Sequence, residues 1–114
     1  MSIINNVSLL GHLGADPVIR ETKKGTKVAS VNIATNEFYK DEDGNKKSNT
    51  EWHRLVAFGK NAETFEKFLK KGSEIIVNGR IINNSYTNKE GEKKYSTEIN
   101  VQLIYMLDKV SKAA

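Results

Sequence analysis

The chain has 114 residues, 38% of them hydrophobic, with a single Pro and no Cys; this bounds it to one domain large enough to close a core, and excludes a disulfide scaffold and any thiolate metal site. Eighteen Lys and Arg against 14 Asp and Glu leave a net charge of +4, a mild excess compatible with a polyanionic partner but not diagnostic of one. No apolar run approaches the roughly 18 residues of a membrane span, and Met1-Ser2-Ile3-Ile4-Asn5 lacks the basic-then-apolar layout of a signal peptide, so a cytoplasmic setting is expected.

Val7, Leu9 and Leu10 open a first strand, expected to stop at the turn Gly11-His12-Leu13-Gly14-Ala15-Asp16-Pro17. Val18-Ile19-Arg20 resumes extended chain until Lys23-Lys24-Gly25 turns it. From Val28 to Thr35, Ala29, Val31 and Ile33 alternate with Ser30, Asn32 and Ala34, the pattern of a half-buried strand. Phe38 and Tyr39 lead into a polar tip over residues 40–49, where Asp43-Gly44 is a strong turn signal. Glu51–Phe58 then returns antiparallel.

A helix is predicted over 62–71, with Asn61 as N-cap, Glu63 in the first turn, Lys70 and Lys71 in the last, and Gly72 as the C′ residue. Ala62, Phe65, Phe68 and Leu69 form its apolar stripe, and both phenylalanines are read as core. Ile75 begins a fourth strand reaching Tyr86, with a bulge or bend expected at Gly79. Asn88-Lys89-Glu90-Gly91-Glu92 forms a second polar tip. In the last strand, Tyr95 to Met106, Ile99, Val101 and Leu103 alternate with Glu98, Asn100 and Gln102. Three strands, one helix and two strands is the element order of the all-β OB-fold, a partly open five-stranded barrel with its helix between strands 3 and 4. The barrel is expected over residues 1–108, followed by a short extension at 109–114.

The strand at 51–59 carries the chemistry. Period two puts Trp52, Arg54, Val56 and Phe58 on one side and His53, Leu55 and Ala57 on the other. Two large aromatics with a cation between them suit the stacking of unpaired bases beside their phosphates, whereas the second side suits burial. Tyr39 and Tyr86 each sit at the base of a Lys-rich tip, where a core role is a poor explanation. Lys23, Lys24, Lys27, Lys40, Lys46, Lys47, Lys89, Lys93 and Lys94 fall in apparent loops; they form either a solvated face or the rim of a phosphate-tracking groove. Catalytic readings find little support. The acids lie mostly in the tips, His12 and His53 lie in different elements with no Ser or Cys motif beside them, and neither HExxH nor a Gly-rich phosphate loop occurs. No enzyme activity, metal or cofactor is expected.

Three ordered segments resemble the bacterial single-stranded DNA-binding protein family: Asn6-Val7-Ser8-Leu9-Leu10-Gly11-His12-Leu13-Gly14-Ala15-Asp16-Pro17, Thr50-Glu51-Trp52-His53-Arg54-Leu55-Val56-Ala57-Phe58-Gly59-Lys60 and Leu69-Lys70-Lys71-Gly72-Ser73. The resemblance runs from about residue 5 to 107. It implies a homotetramer, a dimer of dimers, that wraps single-stranded DNA in replication, recombination and repair. Its base-stacking positions fall on Tyr39, Trp52, Phe58 and Tyr86, and its subunit interface on His53 and Asn6. Phosphate contacts are expected from Arg54, Lys40, Lys46, Lys47, Lys89, Lys93 and Lys94. Well-known family members have Trp at the positions of Tyr39 and Tyr86, and basic residues are frequent where this chain has Ile82, Asn84 and Ser85. The family's Gly/Gln/Pro-rich tail with its acidic tip does not follow Lys109-Val110-Ser111-Lys112-Ala113-Ala114; a naturally short chain, as from a phage or mobile element, and a trimmed one both fit, and tail-borne protein partners are not carried over. The alternative reading is a primosome-type adaptor with weak single-strand affinity. A cold-shock RNA chaperone lacks its Gly-Phe-Gly-Phe strand motif here, and an OB-fold nuclease lacks the clustered carboxylates.

Overall fold

The structure, a computed structural model, describes residues 4–107; the extension expected at 109–114 lies outside them. The elements run β1 (Val7–Leu13), β2 (Val18–Glu21), β3 (Lys27–Lys40), β4 (Lys46–Phe58), α1 (Lys60–Phe68), β5 (Glu74–Thr87) and β6 (Lys93–Met106). Five strands close a ring in the order β1-β5-β6-β4-β3, with β1 returning to β3. The one parallel contact is β4 with β6, at Leu55↔Ile99 and Val56↔Asn100. This is the expected OB barrel, with the helix between its third and fourth strands, β4 and β5. The extended piece at Val18 proves to be an additional strand, β2, on the N-terminal half of β3. Among the described residues no helix is long and apolar enough to cross a membrane.

Strand alternation builds the core. Ala29, Val31, Ile33, Leu55 and Ala57 point inward and are at most 6% exposed, joined by Ile75, Val77, Ile99 and Val101. Helix α1 closes the barrel with Ala62 and Phe65, both fully buried, and Leu69 completes the cluster.

Several expectations are corrected. β1 does not stop at Gly11 but continues to Leu13, because Gly11 is where the strand crosses from β5 to β3: a Cβ there would lie 2.2 Å from the Ala34 carbonyl oxygen. Gly79 meets Asn100 in the same way, at 2.1 Å, and it marks the register shift expected of it. The helix starts two residues before the predicted range and ends at Phe68, with Gly59 as N-cap and no side-chain cap. Asn61 is not the cap; its amide donates to the carbonyls of Val101 and Gln102 instead, tying the helix to β6. Lys67, not Lys70 or Lys71, occupies the last turn. Phe68 is 61% exposed and not core, since the barrel end is already filled by Phe65 and Leu69. Finally, the first polar tip is short. Asp41 accepts from the amides of Asp43 and Asn45 through one carboxylate oxygen, which folds the turn over residues 41–45 and leaves Lys46 onward in β4. Asn88 closes the second tip in the same manner, through the amides of Glu90 and Glu92.

Short tips make long arms. Beyond the barrel, β3 with β4 and β5 with β6 continue as two-stranded ribbons exposed on both sides. The radius of gyration is 16.4 Å, against about 13 Å for a compact domain of about 100 residues.

Candidate nucleic-acid interface

Directly paired residues of neighbouring strands share a side of the sheet. The β3–β4 register is unbroken from Val28↔Phe58 to Lys40↔Lys46, so Trp52, Arg54, Val56 and Phe58 stand on the outer side with Ala34, Asn32, Ser30 and Val28. Leu55 and Ala57 are fully buried on the inner side, where His53 is half-buried. The parallel pair Val56↔Asn100 carries this outer side on to β6, and the β5–β6 register adds Arg80, Ile82, Asn84 and Tyr86, with Lys94, Ser96 and Glu98 opposite the last three. Trp52, Phe58 and Tyr86 therefore share one continuous outer surface, 59%, 45% and 58% exposed. Tyr39 is separated from them: it pairs with Lys47 on the reverse side of its arm. The chain holds nine aromatic residues, and all but Phe65 are exposed.

A groove of about 500 Å³ runs beside Trp52, lined by Arg54, Ser30 and Asn32 from the strands and by Gly14, Ala15 and Asp16 from the β1–β2 loop. The loop is held on three sides. Gly14 donates its amide to the Asn32 carbonyl, Asp16 accepts the Lys71 amide at 2.8 Å, and Gly72 donates to the Leu13 carbonyl. Trp52 lies directly on Gly14, where a Cβ would come within 2.5 Å of the indole. The Gly-Ala-Asp-Pro segment, legible in the sequence only as a turn, is the wall that sets the ring's position.

Six of the nine lysines expected in loops are not loop residues; Lys23 and Lys24 do lie in a turn. Lys27, Lys40, Lys46, Lys47, Lys93 and Lys94 lie within strands, because the tips are short; Lys89 stays in a tip. Lys40 and Lys46 face each other on the outer side of the first arm, whereas Lys47 is on the reverse side. Lys94, beside Tyr86, lies 3.6 Å from Glu92, and the Lys93 ammonium stands 5.7 Å from the centre of the Tyr95 ring. Lys27 bonds Glu66 of the helix, which holds its ammonium above the ordinary lysine pKa. Arg54 is also engaged: its Nε donates to Glu98 at 2.8 Å, and the other Glu98 oxygen accepts from Asn84 at 2.7 Å. Arg80 and Glu98 on this surface went unnoticed as site residues. Their even numbering within β5 and β6 is the signal that places them, once the pairing is known.

His53 Nε2 lies 3.1 Å from the Thr35 hydroxyl. Asn6 precedes β1 and accepts from the Asn78 amide at 2.7 Å, so the two residues expected at a subunit interface sit on different elements, one ahead of β1 and one in β4. Among the described residues no group of three or more His, Asp or Glu side chains is placed to hold a metal ion.

The model of the single-strand binding protein family matches residues 4–107. Single-stranded DNA-binding protein 1 of Xylella fastidiosa is 48% identical over 110 residues, 96% of this chain and 81% of that one. The protein of the same name from Chlorobaculum tepidum is 48% identical over 97 residues, 84% of this chain and 60% of its own length. Among solved structures, the Plasmodium falciparum SSB complex with ssDNA superposes with a TM-score of 0.85 at 32% identity, covering 95% of this chain and 98% of that one. A deletion mutant of the single-stranded DNA binding protein from Thermus aquaticus gives 0.80 at 32% identity, over 93% of this chain and 51% of that one. Barrel, aromatic surface and relatives agree: the chain belongs to the single-strand binding protein family.

Proposed function

We propose that this protein coats single-stranded DNA with little sequence preference and protects it during replication, recombination and repair. It is a binder and not an enzyme, and it works in the cytoplasm. The carrying observation is that eight large aromatic side chains stand in solvent on a domain whose core has no use for them. Bases stack on Trp52, Phe58 and Tyr86 along the outer surface, and Tyr39 takes a base on the reverse side of its arm. Every base has a π-face, so such stacking tolerates any sequence. Phosphates are met by Arg54, Lys40, Lys46, Lys47, Lys89, Lys93 and Lys94. The names of the bacterial relatives and the strand bound in the Plasmodium complex support the same reading.

Trp52 is the only tryptophan, so its fluorescence reports on the surface directly. Titration with oligo-dT should quench it strongly, titration with duplex DNA of equal length only weakly. Equal quenching by both would sink the single-strand reading.

The protein works as a homotetramer, a dimer of dimers, with Asn6 and His53 at subunit contacts. Leu10, Leu103 and Tyr105 support this: they are 53%, 40% and 58% exposed on β1 and β6, the two strands that flank β5, more apolar surface than a solitary small domain normally leaves open. Light scattering at micromolar concentration is expected to give four times the chain mass; a strict monomer would refute the assembly.

A further inference from the structure

Phe38 is 80% exposed, more than any other aromatic side chain of the described residues. It pairs with Ser48, two residues from the Lys40↔Lys46 pair, and the unbroken register sets Phe38, Lys40 and Lys46 on the same side of the arm as Trp52. A concavity of about 560 Å³ at this place is lined by Phe38, Tyr39, Lys40 and Lys46. A bare ring flanked by two ammonium groups has the two chemistries of one nucleotide, a π-face for the base and cations for the phosphate.

The surface between this place and Trp52 is open. Along the outer side it carries only Asn36, Ser48 and Thr50, with the Thr50 hydroxyl donating to Asn36 at 2.6 Å. From Phe38 to Ala34, the partner of Trp52, is four residues of strand, about 14 Å at about 3.4 Å per residue. A stacked strand crosses that gap in about four nucleotides at about 3.4 Å each.

We propose that Phe38, Lys40 and Lys46 form a further nucleotide subsite at the end of the β3–β4 arm, extending the strand path outward from Trp52. This rests on the single-strand reading above and adds to it a ring that the family resemblance does not mark. The occupant is a base of the same DNA strand, stacked on Phe38 with its phosphate between the two lysines.

Two variants test it, measured by anisotropy with a labelled oligo-dT long enough to span both rings. Phe38→Ala is expected to weaken binding by at least about fivefold, the low end for loss of one stacked base, while quenching of Trp52 persists. Lys40→Gln with Lys46→Gln should flatten the slope of log K against log salt by about 0.7 for each lysine. A direct reporter is Phe38→Trp in a Trp52→Phe background, whose one indole should be quenched by oligo-dT. Affinity within twofold of wild type for Phe38→Ala, or an unquenched indole in the reporter, overturns the subsite. Absence of Trp52 quenching in the unaltered protein would instead overturn the single-strand reading itself, so the two failures are told apart.

Discussion

Phe65→Ala is expected to destabilise the protein by about 3–5 kcal/mol, the usual range for removing a phenylalanine from a packed core. The side chain is fully buried and is among the largest in the barrel, and the strands around it cannot collapse into the space it leaves. Phe68→Ala, one helical turn later, should change stability by no more than about 0.5 kcal/mol, because that ring already meets water. Urea unfolding of both variants at one protein concentration checks the pair, the concentration being fixed because assembly adds its own stabilisation. Similar losses for the two would mean that the helix is rotated from the position described.

Trp52→Ala should weaken oligo-dT binding by about 1–3 kcal/mol, the contribution of one stacked base, and leave the fold intact. The ring is 59% exposed and its main contact below is Gly14. That loop keeps its own anchors, Gly14 to Asn32 and Asp16 to Lys71, when the indole is gone. Anisotropy of a labelled strand gives the affinity and thermal melting gives the fold. An unfolded variant would make Trp52 a core residue, and undiminished affinity would remove it from the strand path. Either result defeats the stacking surface proposed around it.

The contrast between these residues shows what the sequence could reveal. The division of β4 into a Trp52 side and a Leu55 side was legible because alternation in a strand is local and has a period of two. The barrel followed from the order of such segments. Phe68 was misread because a helical stripe gives the direction of the core but not its width, and Phe65 with Leu69 already fills it. Asn61 looked like a cap because its partners, Val101 and Gln102, are 40 and 41 residues away. Gly11 looked like a stop signal, while its real reason is the Ala34 carbonyl across the barrel. Tyr39 could not be given a side while the strand was read only to Thr35; β3 runs unbroken to Lys40, so the alternation of Ala29, Val31 and Ile33 carries Tyr39 to the reverse side. The turn at 41–45, gripped by Asp41, sets its partner, Lys47.

Glu98 gives the outer surface a property that aromatic rings and lysines alone would not. Its carboxylate is mostly shielded, 20% exposed, and already occupies the Arg54 guanidinium before any DNA arrives. Only the Nε of Arg54 is engaged, so its terminal nitrogens can meet a phosphate with the carboxylate still in place. Glu98 thus works as a brace: held in turn by Asn84, it sets the guanidinium plane before a strand arrives. On the proposed strand path that preset angle lowers the ordering cost of the contact.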